Sequence, residues 1–110
     1  MPPTLFAPPD AAPWVEAGPG NRRRVLVHTP ELMQVEFAFD AGSIGALHSH
    51  PHVQSSYVVE GRFEVTIDGM TKSIGKGGSF IVPSGLVHGV KALEAGRLID
   101  SFAPARADFL

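Results

Sequence analysis

Short segments with a two-residue apolar period, cut apart by glycine and proline, constrain this chain more than any other feature. From Leu32 to Asp40, LMQVEFAFD puts Met33, Val35, Phe37 and Phe39 on one side and Gln34 and Glu36 on the other. That alternation describes a half-buried strand. In RFEVTIDG, Phe63, Val65 and Ile67 share one face while Arg62, Glu64 and Thr66 share the other, and Asp68-Gly69 signals a tight hairpin. A short strand over Phe80 to Val82, a turn at Pro83-Ser84-Gly85, and the segments HGVKAL and GRLIDSFAP continue the series. No window keeps a 3.6-residue apolar period for three turns. With 12 glycines and 10 prolines among 110 residues, the pattern predicts one all-β domain, a small sandwich or barrel.

Composition narrows the function classes. A net charge of −2 and the lack of a basic, aromatic-laced patch exclude nucleic acid as the expected partner. The only basic run, Arg22 to Arg24, reads as a solvated strand start. With no cysteine, thiolate metal sites, disulfides and thiol nucleophiles are excluded. The N-terminal MPPTLFAPPDAAPW has neither a charged leader nor an apolar span, so the expectation is a cytoplasmic protein with no membrane partner. Residues 1–13 read as a proline-rich arm lying across a surface or a partner subunit, and residues 14–110 as the barrel. An apolar arm and exposed sheet edges make a homodimer the expected assembly.

Chemistry concentrates in HSHPHVQ, residues 48–54, which holds three of the five histidines. In a strand, residues two apart share a side, so His48 and His50 present both imidazoles together, and Gln54 returns to that side if the pleat continues. Such neutral donors are costly to bury unless something uses them, and a metal ion is the obvious consumer. His52 shares their parity, but Pro51 bends the segment, and it reads as a supporting or rim residue. His28 reads as an ordinary strand residue.

GSIGALHSHPHVQSSYVVEG has the form G-x5-H-x-H-x3-Q-x6-G from Gly42 to Gly61, and GGSFIVPSGLVH contains G-x5-P-x-G-x2-H from Gly77 to His88. These resemble the two motifs of the cupin superfamily, in order and suitably spaced. The resemblance implies a double-stranded β-helix, or jelly-roll barrel, around one divalent transition metal (Ni, Mn, Fe, Co or Zn). It implies His48, His50, Gln54 and His88 as ligands. Gln54 stands where most cupins carry glutamate, which leaves the metal more electropositive and weighs against dioxygen chemistry. Ala92 stands where the second motif usually ends in asparagine, outside the ligand set.

From about Trp14 to the C-terminus the chain is similar to the KdgF family of pectin and alginate breakdown. That resemblance implies conversion of 4,5-unsaturated uronate monosaccharides to the linear keto form, with a small sugar acid as partner. Leu98, Asp100 and Phe102 share one strand face, so Asp100 either enters an apolar inward row or, in the opposite register, faces water. Inward, it would be a desolvated carboxyl suited to moving a proton. The family match favours the inward register and places Phe102 in the site. Arg106 is the expected bidentate partner of the uronate carboxylate, and Tyr57 a hydrogen-bond donor to a sugar oxygen, with barrel packing as its alternative. Two other functions remain open: a metal- or sugar-binding cupin without catalysis, which would not need Asp100, and a metal-dependent dioxygenase.

Overall fold

The computed structural model describes residues 5–110, so the first four positions of the arm lie outside the described residues. The strands run in chain order as β1 (Val15–Gly18), β2 (Asn21–Thr29), β3 (Leu32–Phe39), β4 (Ile44–His48), β5 (Val53–Glu60), β6 (Arg62–Ile67), β7 (Met70–Gly75), β8 (Ser79–Val82), β9 (His88–Ala92) and β10 (Gly96–Ala103). They form two antiparallel sheets, one ordered β1-β2-β3-β10-β5-β8 and the other β4-β9-β6-β7. This is the expected all-β double-sheet barrel. Among the described residues no helix is long and apolar enough to cross a membrane. Among the described residues the only helical turn is a 3-10 segment at Ala107–Phe109, which the strand pattern did not foretell.

The alternation in sequence becomes the division between inside and outside. Met33 and Val35 on β3, Phe63 and Val65 on β6, and Leu98 and Phe102 on β10 are buried. One core cluster joins Phe39, Val58, Phe63, Val65, Ala92 and Leu98, and a second joins Met33, Val35 and Phe102. Asp68 and Gly69 turn β6 into β7 with φ of 50° and 79°, the left-handed pair that a two-residue hairpin needs and that Asp-Gly supplies cheaply.

Register carries this row pattern across the six-stranded sheet. Asp100 on β10 lies opposite Val35 on β3 and Ser56 on β5, while Leu98 lies opposite Phe37 and Val58. Arg23 on β2 is opposite Phe37, so it belongs to the inward row with Leu98. Its neighbours Arg22 and Arg24 point outward, where both guanidiniums lie over the Trp14 ring, at 5.0 and 4.5 Å from its centroid. The arginine run is therefore divided between the two faces; the expectation of a uniformly solvated strand start fails because the pleat sends the middle residue into the barrel. Arg24 also donates to the Pro9 carbonyl at 3.1 Å, tying the arm to the outer face of this sheet.

Candidate metal centre and cavity

The histidine run straddles the end of a strand. β4 stops at His48, His50 stands in the following turn, and β5 resumes at Val53. The pleat thus does not continue from His48 to Gln54, as a single strand would have required. Convergence comes from pairing within the four-stranded sheet: His48 is opposite His88 on β9, after an irregularity between Gly45 and His48. Gly89 makes room for it. A Cβ there would stand 2.8 Å from the Gly45 carbonyl oxygen and 3.1 Å from the Leu47 nitrogen, so only glycine lets the irregular β4 press against β9.

The three imidazoles gather tightly. Ring centroids are 4.4 Å apart for His48 and His88, 4.7 Å for His50 and His88, and 5.5 Å for His48 and His50. Their ligand atoms all lie within 4.8 Å of one another. In each ring Nδ1 faces a backbone carbonyl: Ala46 at 2.8 Å for His48, His52 at 3.0 Å for His50 and Leu86 at 2.9 Å for His88. A carbonyl only accepts, so Nδ1 carries the proton in this assignment and Nε2 keeps its lone pair. His52 thus acts through its backbone, orienting His50, and is not in the imidazole cluster.

Two details fit a cation. The buried Nε2 of His88 has no hydrogen-bond partner among the described residues, which is unusual for a buried polar atom. The Nε2 of His50 faces the amide oxygen of Gln54 at 3.0 Å, two acceptors close together. Donors bound side by side on one metal at about 2.1 Å would stand about 3 Å apart. The Gln54 amide is oriented by its other end, where Nε2 donates to Ser56 Oγ at 3.0 Å and to Asp100 Oδ2 at 3.4 Å. Burial pushes His50 and His88 below the ordinary imidazole range, favouring the neutral, ligating form.

Beside this cluster lies a cavity of about 320 Å³, lined in part by His48, Gln54, His88, Asp100, Phe102 and Arg106. That volume is at the small end for a ligand site and suits one small molecule. Asp100 takes the inward register, 5% exposed, and its Oδ1 is without a partner among the described residues. Loss of water drives its pKa up to about 7, against the smaller opposing pulls of the Ser56 hydroxyl and the Arg106 charge. Phe102 packs its ring at 5.7 Å from that of His50. Arg106 lies over Phe102, 5.1 Å from the ring centroid, and over Phe109 at 4.2 Å.

Tyr57 is where the sequence reading needs correction. It is 49% exposed and pairs with Ile99 and Ser79 on the outer face of its sheet. Gln54, Ser56 and Val58 take the inward positions of β5, so parity turns Tyr57 away from the cavity. His28 lies on β2 and outside the imidazole cluster. Arg23 and Phe109 are among the cavity residues that sequence reasoning did not place in the site. Strand parity signals that Arg23 differs in facing from Arg22 and Arg24, but not which face is inside.

The chain matches the Cupin domain family over residues 35–102. It is 42% identical over 103 residues to the pectin degradation protein KdgF of Dickeya dadantii (strain 3937), covering 92% of this chain and 94% of that one. Among solved structures it is similar to an RmlC-like cupin from Shewanella frigidimarina NCIMB 400, with 42% identity, TM-score 0.94, and 97% and 96% of the two chains covered. KdgF from Halomonas sp. superposes with TM-score 0.92 at 38% identity, covering 97% of this chain and 99% of that one. The chain belongs to the cupin family and, within it, to the KdgF family.

Proposed function

We propose that this protein acts in pectin and alginate breakdown, converting 4,5-unsaturated uronate monosaccharides into the linear keto-uronate. The observation that carries the reading is Asp100, the one carboxylate lining the cavity among the described residues, buried beside Gln54 with one oxygen unpartnered. When held by His48, His50, His88 and Gln54, a divalent metal of the Ni, Mn, Fe, Co or Zn group supplies Lewis acidity without redox change. Asp100 takes the proton of the anomeric hydroxyl as C1 becomes the aldehyde and the C1–O5 bond breaks. The ring oxygen leaves as an enolate on C5, and Asp100 returns the proton to C4, giving the α-keto acid. Phe102 walls the cavity against water, and Arg106 sets positive charge beside an anionic substrate. The proposed assembly is a cytoplasmic homodimer, which light scattering on the purified protein tests.

The test of the reaction is optical. Metal-loaded protein mixed with lyase-treated pectin or alginate should remove the conjugated C=C absorbance, with chelator blocking the loss and removal of oxygen leaving it unchanged. Retained sugar binding with no absorbance change would make the protein a binding module, and a need for oxygen would make it a dioxygenase.

A further inference from the structure

Phe109 is sandwiched between two arginines from opposite ends of the chain. The Arg23 guanidinium lies 4.1 Å from the ring centroid and the Arg106 guanidinium 4.2 Å, and all three residues line the cavity. The two cations differ in what they have left to offer. Arg106 already spends its fork on Asp108, with Nε donating to Oδ1 at 3.0 Å and Nη2 to Oδ2 at 2.8 Å. That is the bidentate geometry in which a guanidinium would hold a substrate carboxylate, and it is occupied. Among the described residues Arg23 has no acidic partner: the ion pairs there use Arg24, Arg97 and Arg106. It is half-buried on the inward row of β2 with its planar group held by ring stacking, which leaves the fork unpaired and pre-oriented.

We propose that Arg23 receives the carboxylate of the bound sugar acid, while Arg106, latched by Asp108, serves as the Phe109-stacked wall of the same site. This assignment deepens the proposed function and rests on its anionic substrate. It departs from the sequence expectation that Arg106 makes the bidentate pair. It also gives the 3-10 turn a purpose: Ala107–Phe109 carries both the latch and the ring that spaces the two guanidiniums.

The test compares Arg23→Gln, Arg106→Gln and, as an outer-face control, Arg22→Gln in metal-loaded protein. With unsaturated uronate as substrate, R23Q should raise KM about tenfold or more with kcat changed far less, since a uniform binding contact is lost. Galacturonate, added as a non-reacting anion and followed by calorimetry, should lose affinity by a similar factor in R23Q and keep it in R22Q. A neutral sugar, galactose, should bind R23Q and the parent protein alike. An R23Q variant that turns over substrate with unchanged KM overturns the proposal and leaves the reaction standing. Parent protein without turnover, but with Arg23-dependent galacturonate binding, sinks the reaction and keeps the anion site. Parent protein that binds no galacturonate overturns the Arg23 assignment even where turnover is seen.

Discussion

Glu36 and Asp100 are buried carboxylates on adjacent strands, 2% and 5% exposed, and they serve different ends. Glu36 on β3 is paired with Ile99, the residue next to Asp100 on β10, so the two carboxylates lie one step apart on opposite faces of one sheet. Glu36 receives Arg24 at 2.7 Å on one oxygen and Arg97 at 2.7 Å on the other. Asp100 has the long Gln54 amide contact and the neighbouring Ser56 hydroxyl, and its second oxygen is orphaned among the described residues. Burial alone therefore does not mark a chemical group. A carboxylate with both oxygens answered by guanidiniums is structural, whereas one with an oxygen left unanswered next to a cavity retains capacity for a substrate proton.

Predictions that break or sharpen this contrast run from large to small. Removing a ligand should cost most: His88→Ala should lower bound metal well below one per chain by elemental analysis and abolish turnover. Asp100→Asn should reduce kcat by about 10²- to 10⁴-fold, the scale of positioned proton transfer, with metal content intact. Full activity in that variant would refute the role given to Asp100. Glu36→Gln should do the opposite. Two guanidiniums lose their charge partner, one of them mostly shielded from water, which costs about 1–3 kcal/mol. Thermal denaturation should then show a Tm lower by roughly 5–15 °C, with kcat of the folded enzyme unchanged. If E36Q instead loses activity at constant Tm, the division between structural and chemical carboxylates is wrong. Tyr57→Phe, on the outer face, should leave kcat and KM within about twofold.

Much of this was legible in the residues. Period-two alternation located β3, β6 and β10, and Asp-Gly located the β6–β7 hairpin, because these depend on neighbours in sequence. The histidines were identifiable through two glycine-framed motifs, although the condition that would have brought Gln54 to their side, a pleat continuing from His48, is not met, and their convergence has another cause. Tyr57 misled because closeness in sequence to Gln54 and Ser56 says nothing once parity is counted. Arg23 was hidden within a charge run whose three members divide between two faces.

By itself, the order of residues determined the strand-rich architecture, the metal-ligating residue types and the absence of thiol chemistry, since each follows from local period or composition. Tertiary structure alone decided the rest. It chose which face of β10 is inside, set His88 across from His48, and gave Arg106 to Asp108 while leaving Arg23 without an acidic partner among the described residues. These outcomes depend on register between strands distant in the chain, and a shift of one residue in that register would turn every side chain to the other face.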